Sequence, residues 1–282
     1  YAKIRNELGS DSEVKPLVGS DQEDDTTFWR KPSDSSRTVR NYRLILAVTG
    51  GCLVLCVLVA GLAYLSGKSL CTLVDAVTEC GKVRGHHCGK AYMFKGIPYA
   101  SPPTGNLRWR PPQKPTCWNT TRNATEFGSV CAQVQPFGEN GTVTGSEDCL
   151  FVNIWTPSLD RDAKLPVMFW IHGGFLHMLS GSEPGYSPTE ELAENSPVVH
   201  VSFNYRLNAF GFMALELFRE GSPTNTSGNY GFMDQLAALQ WVRDNIRYFG
   251  GDPDKVTIYG QSSGNNVSPF TRFIYRYIYP GL

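Results

Sequence analysis

The 282-residue chain is 41% hydrophobic and 18% charged, an ordinary balance for a protein that buries a core. Its 26 Lys and Arg are matched by 26 Asp and Glu, which leaves no charge excess to hold nucleic acid or an acidic substrate. Six of the eight cysteines, Cys71, Cys80, Cys88, Cys117, Cys131 and Cys149, gather in one region, an even number that suits disulfides if that region is extracellular.

The chain starts at Tyr1 rather than Met, so an incomplete start is expected. Residues 1–43 hold few apolar side chains and many of Ser, Asp and Glu, too polar to offset the entropy of ordering, and read as a disordered cytosolic tail. Ser10 and Ser20 each have an acidic residue three positions on, a pattern some kinases accept. Such short patterns recur by chance, and the tail is read as solvated.

Leu44 to Leu65 is a run of 22 residues without a charge, long enough at about 1.5 Å per residue to cross a hydrocarbon layer of ~30 Å. It is read as a transmembrane helix over 44–65, not a cleaved signal peptide, whose apolar core is shorter and nearer the N-terminus. Arg30, Lys31, Arg37, Arg40 and Arg43 precede it, and only Lys68 follows closely. The positive-inside rule then keeps the N-terminus in the cytosol and predicts a single-pass type II protein of the plasma membrane. Gly50, Gly51 and Gly61 form no GxxxG with one another, so no helix pairing is read from them.

Residues 66–77 read as a juxtamembrane linker. The glycosylation sequons at Asn119, Asn123, Asn140 and Asn225 all fall on the predicted outer side. Asn266 fits the pattern too, but Pro269 follows its Ser268.

Further along, strands and helices alternate. Leu165 to Ile171 and Pro197 to Asn204 are short runs rich in Val, Ile and Phe, as buried parallel strands are. Leu236, Leu239, Val242 and Ile246 recur at helical spacing between Met233 and Tyr248, with Gly250 and Gly251 ending the helix. Lys255 to Tyr259 is the next strand. This order predicts an α/β fold, a mostly parallel sheet flanked by helices.

That last strand runs into Gly260-Gln-Ser-Ser-Gly264, the G-x-S-x-G pattern of a sharp strand-to-helix turn that lifts the central hydroxyl above the sheet edge. On its own the pattern is also that of a glycine-rich turn. Around it, Phe249-Gly-Gly-Asp-Pro-Asp-Lys-Val-Thr-Ile-Tyr-Gly-Gln-Ser-Ser-Gly264 and Glu147-Asp-Cys-Leu-Phe-Val-Asn-Ile-Trp-Thr-Pro157 match two signatures of the type-B carboxylesterase and cholinesterase family. Phe94-Lys-Gly-Ile-Pro-Tyr-Ala100, Asn204-Tyr-Arg-Leu207 and Gly228-Asn-Tyr-Gly231 look like further landmarks in the expected order. The chain resembles this family over roughly residues 78–268, which implies the N-terminal part of an α/β-hydrolase domain; from Pro269 the segment 269–282 diverges.

By that resemblance Ser262 is the nucleophile, and the backbone N–H groups of Ser263 and of the Gly173–Gly174 region form an oxyanion hole. The family's third glycine is replaced by Phe175, and Gln261 stands where many members have Glu. His172 reads as a motif residue, not a base. The resemblance also pairs Cys131 with Cys149, a loop of 17 intervening residues whose closure constrains the unfolded chain by about 3 kcal/mol. In cholinesterases this loop supplies a tryptophan that holds choline by cation–π attraction; here it contains none, which disfavours choline esters. Cys80 and Cys117 look like a second pair, as in the neurotactin-like adhesion members, and the pairing of Cys71 and Cys88 is left open.

Two classes of function follow: a hydrolase of small carboxylic esters, or an extracellular recognition surface for a protein partner. No cofactor or metal is implied. In this fold the triad acid and histidine follow the serine, yet no His, Asp or Glu follows Ser262, so the chain as given is expected not to hydrolyse esters. Pro269 is also expected to break the helix that the turn begins.

Overall fold

The computed structural model describes residues 35–66, 71–135, 141–220, 222 and 225–265. The expected tail up to residue 34, the sequon at Asn140, and Asn266, Pro269 and the divergent segment 269–282 lie outside the described residues. The chain divides into two units, Tyr1–Ser66 and Gly67–Leu282.

In the first unit, Ser35–Ser66 forms one helix, α1. Its 20 residues Arg40–Val59 are by length and composition enough to cross a membrane. The helix starts ahead of the boundary read from the sequence, because 35–43 continues it. Arginine is among the better helix formers, so Arg40 and Arg43 end the apolar run without ending the helix.

The second unit opens with β1 (Thr72–Thr78), β2 (Gly81–Cys88) and β3 (Ala91–Pro98), paired antiparallel through tight turns. All of β1 but Thr78 lies in the stretch 66–77 read as linker. Val74, Ala76 and Thr78 turn inward while Leu73, Asp75 and Val77 face out, a period-2 alternation too short to stand out. Thr72 pairs with His87, which sets Cys71 opposite Cys88, and these two form a disulfide. The other disulfides join Cys80 to Cys117 and Cys131 to Cys149. β4 (Arg122–Asn123) lies beside β2, and β5 (Gln133–Val134) pairs with β6 (Val143–Thr144) inside the loop that Cys131–Cys149 closes.

The remaining elements are β7 (Phe151–Thr156), β8 (Leu165–Ile171), α2 (Glu190–Asn195), β9 (Val199–Phe203), α3 (Asn208–Phe212), α4 (Tyr230–Asn245) and β10 (Gly251–Gly260). The main sheet has the order β1-β2-β3-β7-β9-β8-β10. The fold class is α/β as expected; along the main order β1, β2, β3, β7 and β9 pair antiparallel, and β9, β8 and β10 pair parallel, while the two-residue β4 lies parallel to β2 off that path. Two-residue turns after β1 and β2 leave no room for the crossover that a parallel neighbour needs.

β7 and β9 are buried on both faces. One face carries Phe94, Ile154, Phe169 and Val201 against Leu239 and Val242 of α4, and the other carries Met93 and Trp155 against Ala193 of α2. From β8 the chain passes by α2 to β9 on one side, then by α4 back across β8 to β10 on the other. The carboxyl ends of β8 and β10 therefore flank a topological switch point, where crevices form in such sheets.

Irregular backbone leaves β9 at Asn204-Tyr-Arg-Leu207, and a buried ion pair fixes it. Arg206 is 3% and Asp234 0% exposed, with Nη2 to Oδ1 and Nε to Oδ2 both 2.7 Å. The Arg206 N–H donates to the same carboxylate at 3.0 Å, and Nη1 donates to the Arg110 carbonyl at 2.9 Å. Burial opposes the Arg206 charge, but Asp234 outweighs it and holds the guanidinium above its ordinary range. Removing one partner strands the other charge, so Asp234→Ala is expected to cost roughly 3–5 kcal/mol. An apolar pair, Arg206→Met with Asp234→Leu, should restore much of that loss. Urea denaturation of the protein in detergent, followed by tryptophan fluorescence, measures both; a single-variant loss below about 1 kcal/mol would contradict this account of the pair.

Candidate active site

Parallel pairing carries β10 alongside β8 until Gly260 lies beside Ile171. There the ladder ends with Gln261 N–H donating to the Ile171 carbonyl at 3.3 Å, and a helical turn starts at Ser263. Gly264 N–H closes onto the Gln261 carbonyl at 2.9 Å, and Asn265 N–H onto Ser262 O at 3.0 Å. Reversing direction within so few residues forces Ser262 to φ 53°, a left-handed torsion that a side chain resists. The residue is exposed at the end of the sheet.

The flanking glycines are required by space. A Cβ on Gly264 would overlap the Ile171 carbonyl oxygen and lie 2.7 Å from that of His172. One on Gly173 would come within 2.6 Å of the Gln261 carbonyl oxygen and 3.1 Å of Ser262 Cβ. Gly173 thus lies directly against the serine turn. Among the described residues the N–H groups of Gly173, beside the serine turn, of Gly174, next in the chain, and of Ser263, within the turn, donate to no protein acceptor.

Phe175, in the place of the expected third glycine, takes φ 57° and leaves its side chain 73% exposed. The loop therefore keeps a left-handed torsion there despite the Cβ. His172 is buried and stacks on Tyr205 with ring centroids 4.3 Å apart. Its Nδ1 lies 2.9 Å from the Gly173 carbonyl, which can only accept, so the proton sits on Nδ1 and Nε2 is left buried without a partner. Tyr205 in turn donates to the His172 carbonyl at 2.9 Å. Burial pushes His172 down to about 4. His177 bonds Asn208 and His200 bonds Ser196, so neither is turned to Ser262.

Other residues reach the site only through the fold. Asn204 receives the Gly181 N–H at 2.8 Å and donates to Ser129 O at 3.0 Å, and Ser202 donates to Gly181 O at 2.6 Å. These bonds fix the segment that leads from the glycine loop to α2. Asn204 and Tyr205 belong to a landmark whose purpose nothing in the sequence discloses, and Ser202 sits in an apolar run without pattern. The sequons at Asn119, Asn123 and Asn225 are exposed.

Residues 74–269 match the carboxylesterase family. The fumonisin B1 esterase of Sphingopyxis macrogoltabida is 45% identical over 188 residues, 66% of this chain and 34% of that protein. The para-nitrobenzyl esterase of Bacillus subtilis is 45% identical over 191 residues, 66% of this chain and 38% of the relative. A carboxylesterase of Geobacillus stearothermophilus superposes with a TM-score of 0.59 at 44% identity, covering 67% of this chain and 38% of that one. The chain spans about a third of the length of the curated relatives it matches.

Burial of neutral His172 has a pH signature. Its folded value of about 4 lies below the unfolded 6.5, so the unfolded chain takes up the proton first, and stability falls as pH drops from about 6.5 to about 4. The gap amounts to roughly 3 kcal/mol. Burial lowers His200 too and adds to the slope with the same sign. His172→Gln, which keeps a donor but cannot titrate, is expected to flatten urea midpoints between pH 4.5 and 6.5 more than His200→Gln does. Parallel slopes for the parent and His172→Gln would refute the assignment.

Proposed function

The chain belongs to the carboxylesterase family, and from that premise we propose that it is the nucleophile-bearing part of a carboxylic ester hydrolase anchored by α1 on the outer face of the plasma membrane. In this reading Ser262 Oγ adds to the carbonyl carbon of a small ester and its proton passes to a general base. The carbonyl oxygen, gaining negative charge, takes hydrogen bonds from the N–H groups of Ser263, Gly173 and Gly174. Collapse expels the alkoxide, which takes that proton back from the base and leaves as the alcohol. Water then gives a proton to the base as it adds to the acyl carbon, and the second collapse releases the acid while the base returns the proton to Ser262.

The observation that carries this reading is the φ of 53° at Ser262, in a turn pressed between Gly173 and Gly264. A serine hydroxyl is a weak nucleophile until a positioned base takes its proton. None of the 20 residues after Ser262 is His, Asp or Glu, so the base and its orienting acid are assigned to residues beyond these 282. A second reading, a neurotactin-like recognition surface for an extracellular protein, is favoured by the exposed Phe175 ring beside the paired glycines.

Anchoring rests on the uncharged run Leu44–Leu65 within α1 and on the arginines ahead of it. The exposed sequons at Asn119, Asn123 and Asn225 suit an outward domain, as do three disulfides.

Hydrolysis of a short-chain aryl ester by the full-length gene product is expected to fall at least ~10⁴-fold on Ser262→Ala. Residues 67–282 alone and their Ser262→Ala variant should be equally inert. Hydrolysis by the full-length protein that survives Ser262→Ala would remove the serine from the mechanism; no hydrolysis, with capture of a cell-surface protein that Phe175→Ala abolishes, would establish the second reading.

Topology has a separate test. An N-terminal epitope tag is expected to resist external protease in intact cells, with glycans attached only after α1. Staining of that tag on unpermeabilised cells would reverse the orientation.

A further inference from the structure

Building on the reading of Gly173, Gly174 and Ser263 as oxyanion donors, we propose that Gln133 and Asn208 are positioning residues that hold the Gly173–Leu179 loop in its strained, donor-presenting conformation. The loop takes positive φ at Gly174 (96°), Phe175 (57°), Leu176 (64°) and Leu179 (72°). Three of these carry side chains, and residues so placed persist only where their surroundings over-determine them. The loop's own bonds are short-range: His177 and Met178 N–H both reach the Gly174 carbonyl, at 2.9 and 3.1 Å. They curl it into a turn without tying it to anything else.

Two side-chain amides supply the tie. Gln133, 5% exposed and two residues after Cys131, accepts from Leu179 N–H at 2.7 Å and donates to Leu179 O at 3.0 Å. It thereby occupies both polar groups of a left-handed residue, much as a neighbouring strand would. The same Nε2 donates to Cys131 O at 3.0 Å, which orients the amide.

Asn208 works from the other side. Its N–H donates to Leu176 O at 2.9 Å, and its Nδ2 donates to His177 O at 2.8 Å. Its Oδ1 receives His177 Nδ1–H at 2.8 Å. Asn208 is itself left-handed, at φ 53°, which asparagine tolerates better than most residues. A longer bond from Nδ2 to Ala132 O, 3.4 Å, joins it to the same disulfide-closed segment that carries Gln133.

Loop residues 176, 177 and 179 are thus fixed by groups that converge on residues 131–133, covalently held by Cys131–Cys149. The chemical consequence lies in the aim of the Gly173 and Gly174 N–H groups. Donors must sit about 2.7–3.1 Å from the developing oxyanion. An error of about 1 Å costs on the order of 100-fold in rate.

The test uses the full-length protein in detergent, with Gln133→Glu and Asn208→Gly. Gln133→Glu keeps the acceptor for Leu179 N–H and loses both donations. Asn208→Gly removes the amide while relieving its own left-handed torsion, so it is the variant that folds most readily. In both, hydrogen exchange of amides 174–179 is expected to rise about 10-fold while β8 and β9 stay protected. The kcat for the aryl ester is expected to fall about 10- to 100-fold with KM changed less than about 3-fold. Unchanged exchange overturns the proposal, as does a raised KM at constant kcat, which would make these groups substrate contacts. Faster exchange in a protein without Ser262-dependent hydrolysis would support the clamp and remove the ester reading instead.

Discussion

The close approach of two backbones at the carboxyl ends of β8 and β10 is the constraint on which the rest of the site depends. Gly264 packs against the last carbonyls of β8, and Gly173 packs against the serine turn. Neither contact survives a methyl group. From that proximity follow the sharp turn at Ser262, the position of Ser263 N–H at the start of a helical turn, and the placement of Gly173 directly against that turn. A strand order that crosses back over β8 makes the room, since the connections from β8 and to β10 leave on opposite sides.

Such proximity demands irregular backbone next to a buried sheet, and irregular backbone must satisfy its polar groups. Side chains that look misplaced in apolar strands do this. Asn153 in β7 accepts from Gly96 N–H and donates to Ser202, which donates on to Gly181. Tyr99 donates to the Asn204 carbonyl at 2.6 Å, and Arg206 with Asp234 closes the other flank. Once complete, such a network favours one arrangement of loops; left half complete, it would cost more than an apolar core.

How much of this was legible in the sequence varied with the length of the pattern. The strand Leu165–Ile171 and the helix around Leu239 were plain, because apolar runs and helical periodicity are signals that packing imposes directly. The serine turn was readable from Gly260-Gln-Ser-Ser-Gly264 because close approach selects glycine at fixed offsets. β1 was hidden within an assumed linker, since a strand with one exposed face and seven residues has little contrast with a polar tether. β2, also with exposed positions along it, went unread for the same reason. Gln133 and Asn208 could not be found at all: a hydrogen bond between residues 46 or 31 positions apart leaves no local trace. The consequence of Phe175 could not be read either: the sequence marks a bulky residue at a glycine site, and only the backbone shows that the left-handed torsion is kept and the ring turned to solvent.

The left-handed torsion at Ser262 sets two selections against each other. Glycine adopts φ 53° without the clash that a Cβ brings there. A screen of this domain for heat resistance alone would therefore drift toward Ser262→Gly, and each gain in melting temperature at that position would erase the hydroxyl. Engineering for robustness and engineering for chemistry meet at one atom, and any stabilised version of this scaffold has to find its margin elsewhere.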